Sequence, residues 1–239
     1  MNLPESKVAD VVASNSAAAQ VFKKYGIDFC CGGGMSIEKA CERKNVDIQL
    51  LLDDLNNIEN NVLPSQNFNN QDLDFLIDYI VNTHHTFVVE ALELIEANAS
   101  KVANVHGESE PAVIEIHGIF QSIRKEMKDH MQKEEKILFP YIKNLVTAQK
   151  EKAVWQAPHF VSVANPISRM EHEHETVGEW LKKINLLSNN YTPPQGACNT
   201  FKALYAKLDE FEQDLHIHVH LENNILFPKA IQIEKDFLN

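Results

Sequence analysis

One motif, H-x3-E-x2-I-L-F-P, occurs twice, as His130-Met-Gln-Lys-Glu134 with Ile137-Leu-Phe-Pro140 and as His218-Val-His-Leu-Glu222 with Ile225-Leu-Phe-Pro228. Residues four apart on an α-helix share one face, so each copy directs an imidazole and a carboxylate toward the same point. Facing helices of a bundle hold metal ions with such pairs. The repeat therefore predicts two metal-binding helices, with Pro140 and Pro228 kinking or ending them.

Four long segments after Asp72 carry apolar residues at steps of three and four, and strand alternation is absent. We therefore predict an all-α fold, an up-down-up-down four-helix bundle. The predicted inward stripes are Leu73, Leu76, Ile80, His84, Phe87, Ala91 and Leu94; Ile116, Phe120, Ile123, Met127, His130, Glu134, Ile137 and Tyr141; Ile167, Met170, His174, Val177, Leu181 and Ile184; and Phe201, Leu204, Leu208, Phe211, Leu215, His218, Glu222 and Ile225.

Each predicted stripe contains one histidine, and burying such groups without compensation costs several kcal/mol for each charged group. The spacings are also similar, 46 residues (130 − 84) and 44 residues (218 − 174), so each half pairs a lone histidine with an H-x3-E helix. Imidazoles with carboxylates that can bridge favour two iron ions over manganese or zinc, with carboxylate and oxo or hydroxo bridges. The predicted ligands are His84, His130, Glu134, His174, His218 and Glu222.

The remaining histidines are weaker candidates. His216 and His220 have a plausible zinc spacing, but their helix face also carries acidic residues and reads as solvated surface. His172 reads as surface too, and His85 lies one residue off its stripe, where an indirect role or none is expected.

Residues 1–60 form short helical patterns broken by glycines, which indicates a small separate domain. Residues 61–70 have linker composition, and residues 71–239 hold the predicted bundle. The small domain contains Cys30 and Cys31, whose Cα atoms are about 3.8 Å apart across a trans peptide, shorter than disulfides favour. A redox role, transient metal handling, client docking and simple packing all stay open for this pair, whereas Cys41 and Cys198 read as packing residues.

The charge balance of 22 basic and 34 acidic residues gives a net charge of -12, which disfavours nucleic acid and anionic membranes as partners. The sequence shows no signal peptide and no window resembling a membrane span. We expect a cytoplasmic protein, and its assembly state, including a homodimer, stays open.

The chain resembles the iron-sulfur cluster repair di-iron proteins (the RIC family) over nearly its whole length. The resemblance rests on Val81-Asn-Thr-His84, the two H-x3-E blocks, Met170-Glu-His-Glu-His174-Glu, and Tyr25-Gly-Ile-Asp-Phe-Cys30-Cys31-Gly-Gly. A third glycine, Gly34, departs from the family pattern.

The resemblance implies a hemerythrin-like di-iron protein that repairs iron-sulfur clusters damaged by nitric oxide or oxidants, with damaged iron-sulfur proteins as partners. Iron donation is the leading hypothesis, and the cysteine domain would assist. Two alternatives remain, reduction of nitric oxide to nitrous oxide at the di-iron centre, and binding or sensing of O2 or NO without chemistry. Whether the protein is an enzyme is therefore open at this point.

Overall fold

The computed structural model describes residues 3–59, 68–153, 155 and 160–238, and the regular secondary structure of this part of the chain is helical apart from an isolated bridge between Lys7 and Ser36. The predicted linker 61–70 falls largely outside the described residues, and its last three residues form a short 3-10 turn, Phe68–Asn70. The α-helices described are α1 Val8–Ser14, α2 Ala18–Lys24, α3 Ile37–Lys44, α4 Ile48–Glu59, α5 Leu73–Tyr79, α6 Thr86–His106, α7 Ala112–Lys133, α8 Phe139–Glu151, α9 Ala164–Leu187, α10 Asn199–Leu221 and α11 Phe227–Leu238.

The chain divides into two compact units. The terminal unit comprises Met1–Asp78, Ile142–Ala164 and His216–Asn239, and the central unit comprises Tyr79–Tyr141 and Asn165–Leu215. These units cut across the predicted domains 1–60 and 71–239, whose boundaries stay a prediction.

In the terminal unit, the short helices α1 to α4 enclose an apolar core that includes Phe22, Ile37 and Leu51. Val219 from the end of α10 packs against the same core. Helix α3 begins after Ser36, whose side chain accepts a hydrogen bond from the Lys39 amide, a typical N-terminal cap. The sequence of short helices in this part of the chain was predicted correctly.

In the central unit, α6, α7, α9 and the first part of α10 pack around one continuous apolar core. Phe120 and Phe211, from the second and fourth of these helices, meet edge-on with ring centroids 5.9 Å apart. The core therefore joins the four helices that the apolar stripes predicted. No helix in the described part of the chain is long and apolar enough to cross a membrane.

Among the described residues, three π-helical turns interrupt the long helices, at Ile80–His85, Glu134–Leu138 and Glu222–Leu226. Two of them lie immediately before the Phe-Pro pairs at Pro140 and Pro228. A proline cannot donate the helical hydrogen bond and its ring clashes with the carbonyl four residues earlier, which a widened turn relieves. The prolines therefore neither end these helices nor have to kink them, because the helix widens for one turn and continues.

Each π-turn accommodates additional chain in the helix, and this changes which residues face inward. After the first turn, Leu94 is 48% exposed while Leu92 and Ile95 are buried, so the predicted stripe is displaced. Within the second turn, Ile137 is 48% exposed and its neighbour Leu138 is buried. Leu94 and Ile137 were therefore wrongly predicted to face inward, whereas Ala91, from the same stripe as Leu94, is buried as predicted.

Candidate metal centre

The central unit brings three predicted ligands together. His130, Glu134 and His174 each offer a ligand atom within 4.8 Å of the others, and all three residues are buried. The Nε2 atoms of His130 and His174 are 3.0 Å apart, and His130 Nε2 lies 3.3 Å from Glu134 Oε2. Helices α7 and α9 position this cluster, because His130 and His174 lie on their inward faces.

A carboxylate orients the His130 ring from its other side. His130 Nδ1 donates a hydrogen bond to Glu173 Oε2 over 3.0 Å, and Glu173 also binds Lys133 and Arg169. Burial alone would raise the pKa of Glu173, but the hydrogen bonds from these three residues outweigh it and lower the pKa to about 2. An ionised carboxylate can only accept, so the proton lies on Nδ1 and the lone pair of Nε2 faces the cluster.

His85, which sequence reasoning set aside, is the histidine of the first π-turn that approaches this cluster. Its Nε2 lies 3.4 Å from Glu134 Oε2, and its Nδ1 lies 2.8 Å from Glu135 Oε1. Its ring also stacks on Phe139 with centroids 5.7 Å apart. His85 thus repeats the arrangement of His130, with one nitrogen on a carboxylate and the other near Glu134.

The predicted ligand His84 is buried and held by a different carboxylate. Its Nδ1 is 2.9 Å from Asp214 Oδ1, and it does not belong to the described groups of close ligand atoms that include Glu134. A carboxylate on Nδ1 is also what orients the His130 ring, so this contact fits a metal-binding histidine. On this geometry we add His85 to the candidates, and His84 stays a predicted ligand.

The terminal unit holds the second copy of the motif. His218 Nε2 lies 3.0 Å from Glu222 Oε1, and both residues are fully buried. The first residue of the third π-turn is Glu222, as Glu134 is the first residue of the second. The structure therefore pairs the imidazole and carboxylate within each copy, as predicted from the four-residue spacing.

The donor atoms in the central unit fit a metal cation. Two imidazole nitrogens and a carboxylate oxygen converge in a buried place, and the hydrogen bond from His130 to Glu173 leaves a lone pair directed at the group. Metal-binding histidines ordinarily have their second nitrogen bound to a carboxylate or carbonyl in this way. Imidazole and carboxylate together suit iron, manganese and zinc.

The face of α10 that carries His216 and His220 was wrongly predicted to be solvated. It is 1% exposed, and its Nδ1 donates a hydrogen bond to the Phe29 carbonyl over 3.2 Å. Burial lowers the pKa of His220 to about 4, although the bond to Phe29 partly opposes this shift. Glu212 on the same face is also buried, and His216 meets the Phe29 ring edge-on. This part of α10 therefore packs against the cysteine segment.

The vicinal cysteines are free thiols in unequal surroundings. Cys30 is buried and Cys31 is exposed, and their sulfurs are 4.0 Å apart. The hydrogen bond to Cys31, followed by burial and the Asp28 carboxylate, raises the pKa of the Cys30 thiol. Cys31 is thus the thiol of the pair that a partner can reach.

The other cysteines divide in the same way. Cys41 is buried in the terminal core, as expected of a packing residue. Cys198 is exposed, so its packing role was wrong, and its sulfur lies 3.3 Å from His106 Nε2.

Two family models match the chain. The model described as the Hemerythrin HHE cation binding domain matches residues 76–230, and the N-terminal domain of the ScdA type, described as a domain of unknown function (DUF542), matches residues 4–59. The first match covers the four long helices and confirms the predicted all-α bundle. Its description as cation binding agrees with the buried histidine and glutamate group.

Similar proteins extend over nearly the whole chain. The iron-sulfur cluster repair proteins YtfE of Yersinia pseudotuberculosis serotype IB (strain PB1/+) and of Yersinia pestis (strain Pestoides F) are each 37% identical to it, over 91% of this chain and 92% of theirs. YtfE of Yersinia pseudotuberculosis serotype O:1b (strain IP 31758) is 36% identical with the same coverage. The chain therefore belongs to the family of hemerythrin-domain iron-sulfur cluster repair proteins.

Proposed function

We propose that this protein holds two iron ions and supplies iron to iron-sulfur clusters damaged by nitrosative or oxidative stress. The observation that carries the proposal is the buried group of His130, Glu134 and His174, with the His130 ring oriented by Glu173. Relatives that align with 91% of the chain at 37% identity are named iron-sulfur cluster repair proteins, which supports repair as the purpose of this group.

The proposed ligands come from both copies of the motif and from two further helices. The central unit contributes His130, Glu134 and His174, with His84 and His85 as the candidates from the first π-turn, and the terminal unit contributes His218 and Glu222. The two H-x3-E pairs share their spacing, and in each pair the imidazole Nε2 lies close to the carboxylate, at 3.3 Å and 3.0 Å, which supports a similar role. The cation-binding family model spans both pairs, which supports a single centre made from the two.

The protein's own residues would control how firmly iron is held. Glu173 fixes the proton of His130 on Nδ1, and Glu135 lies against the corresponding nitrogen of His85, so Nε2 of each ring stays available. Two imidazoles for each ion form a small set of protein donors, which suits iron that must later be released. Bound iron would supply the cargo for repair and a place where small diatomic molecules attach.

Cys31 is the residue that we propose assists transfer. It is exposed and adjacent to the buried Cys30, so a client protein or a thiophilic ion can reach one sulfur of the pair. A thiolate binds soft and borderline metals well, which fits a transient stop for iron.

Repair can be tested on an iron-sulfur enzyme inactivated by nitric oxide. The iron-loaded protein should restore its activity under anaerobic conditions, and the His130→Ala variant should restore little because it holds less iron. Free iron at the same concentration is the control. Donation is contradicted if free iron restores the enzyme and the iron-loaded protein does not.

Gas analysis of the same mixtures separates the alternative chemistry. Iron donation predicts that repair proceeds without a stoichiometric yield of nitrous oxide from the reduced protein. Nitrous oxide released in a single turnover, with no recovery of the damaged enzyme, would instead identify nitric oxide reduction as the activity. Reversible binding of oxygen by the reduced protein, without repair, would indicate a carrier or sensor.

A further inference from the structure

The peptide bond between Cys30 and Cys31 is held at both ends. Its carbonyl, on Cys30, accepts a hydrogen bond of 2.8 Å from Asn224 Nδ2. Its N–H, on Cys31, donates to Asp28 Oδ1 over 3.1 Å. The same Asp28 oxygen also accepts from the Cys30 amide at 3.0 Å and contacts the Cys30 sulfur at 3.2 Å. Asn224, from a distant part of the sequence, and the nearby Asp28 therefore fix the plane of the Cys30–Cys31 peptide.

This peptide is the one that a disulfide within the pair has to distort. Such a disulfide closes a small ring that contains both sulfurs, both Cα atoms and the intervening peptide. The sulfurs must approach from 4.0 Å to about 2.0 Å, while the Cα atoms are about 3.8 Å apart, closer than disulfides favour. Ring closure therefore requires the peptide to rotate or twist, and rotation breaks the bonds to Asn224 and Asp28.

We propose that Asn224 and Asp28 are positioning residues that clamp the Cys30–Cys31 peptide and hold the pair as an open dithiol. The clamp keeps Cys31 available for bonds to an external partner, either a client thiol or a thiophilic metal ion, by opposing its capture by Cys30. This inference rests on the proposed function in one respect, namely that the cysteine pair takes part in repair. The clamp itself acts on the thiols and can be measured without any repair reaction.

A neighbouring contact supplies a matched control. His220 Nδ1 donates to the carbonyl of Phe29, one residue before the clamped peptide and outside the ring that a disulfide closes. The His220→Phe variant removes that bond, together with a 3.3 Å contact between His220 Nδ1 and Asn224 Nδ2, and keeps an aromatic ring against Phe29. The Asn224→Leu variant removes the bond to the clamped peptide and keeps a similar volume.

The test is the equilibrium between dithiol and disulfide in full-length, iron-loaded protein kept in anaerobic glutathione buffers. In this exchange the two thiols lose two electrons and two protons to oxidised glutathione, whose S–S bond breaks as the protein's S–S bond forms, leaving two reduced glutathione molecules. Remaining thiols are alkylated, and mass spectrometry is read on the tryptic peptide 25–39, which contains both cysteines and ends before Cys41.

We expect Asn224→Leu to raise the equilibrium constant for the internal disulfide by roughly three- to tenfold, the effect of one net hydrogen bond. His220→Phe should change it less than twofold. Asn224→Ala is measured as a second donor-free variant, and circular dichroism verifies that each variant is folded. Equal constants for wild type and the folded Asn224 variants, or an equal rise in His220→Phe, would overturn the clamp. Lack of repair activity with an altered constant would contradict only the proposed function.

Discussion

The two copies of H-x3-E-x2-I-L-F-P have a similar imidazole–carboxylate contact, 3.3 Å in the first and 3.0 Å in the second, and different neighbours. In the first copy, the His130 ring is bound by Glu173, which also binds Lys133 and Arg169 at the surface of the central unit. In the second copy, His220 and Asn224 bind the carbonyls of Phe29 and Cys30 in the terminal unit. The first copy is thus bound by an ion-paired carboxylate, and the second copy is bound to the cysteine segment.

The difference lies in the variable positions of the motif. The invariant letters supply a buried imidazole and carboxylate and the π-turn before the proline, and these are the same in both copies. Where the first copy has Gln132 and Lys136, the second has His220 and Asn224, and these two bind carbonyls of the cysteine segment. The invariant residues of the motif therefore supply the buried imidazole and carboxylate, and the variable residues determine which other segment the motif contacts.

The largest expected effect tests whether the two copies are equivalent as ligands. We expect Glu134→Ala and Glu222→Ala each to lose most of the bound iron, because each removes a buried carboxylate of the proposed centre. Metal analysis by inductively coupled plasma mass spectrometry measures the loss. Glu90→Ala, at an exposed position of α6, is the control and should keep its iron. A variant that keeps its full iron content would show that the two carboxylates are not equivalent as ligands.

The next effect separates the adjacent histidines of the first π-turn. His85→Ala should lose about half of the iron or more, since imidazole ligands each contribute substantially to affinity. His84→Ala should lose a similar share, because Asp214 holds Nδ1 of His84 as Glu173 holds Nδ1 of His130. The two variants differ by one position in the same turn. Full iron in one of them would remove that histidine from the candidates and leave the other.

The burial of His220, in the second copy, predicts that the protein loses stability at mildly acidic pH. The pKa of His220 is lowered to about 4 from 6.5, so below pH 6.5 the unfolded chain takes up a proton that the folded chain does not. Between about pH 7 and about pH 5 this costs about 2 kcal/mol. Urea unfolding should show that cost in wild type and not in His220→Phe. An identical pH dependence in both proteins would contradict the burial of a neutral His220.

Glu173, which binds the first copy, predicts a smaller loss of stability at lower pH. The pKa of Glu173 is lowered from 4.5 to about 2, so its contribution is present above pH 4.5 and is lost as the pH falls toward 2. Because its partner Arg169 is largely exposed, screening reduces the effect to about 1 kcal/mol. Acid unfolding of Glu173→Gln should lack this component. Glu175→Gln, exposed on the same helix, should behave like wild type.

Sequence periodicity predicted the interior where the helix is regular. In α9, all six predicted inward residues, from Ile167 to Ile184, are buried, and His174 lies among them as expected. Beyond the π-turn Ile80–His85 the stripe of α6 is displaced, so Leu94 was chosen from a spacing that the chain does not keep. Only Pro140 and Pro228 give a sequence signal of a widened turn, and the first turn has no such proline.

The remaining misses depend on contacts between distant parts of the chain. His220 reads as surface on its own helix, and its burial comes from Phe29, which lies 191 residues earlier. Glu173 and Glu135 were not singled out, although each adjoins a predicted ligand, His174 and Glu134. Adjacency to a ligand was therefore a usable signal for the carboxylates, whereas the burial of His220 had no local signal.

The central claim is that the two motif copies together hold a pair of iron ions, and Mössbauer spectroscopy with metal analysis tests it most directly. We predict two irons in each wild-type chain, with the spectrum of a magnetically coupled pair, and loss of that coupling in Glu134→Ala. One iron in each chain, mainly zinc, or two uncoupled irons in wild type would contradict the account.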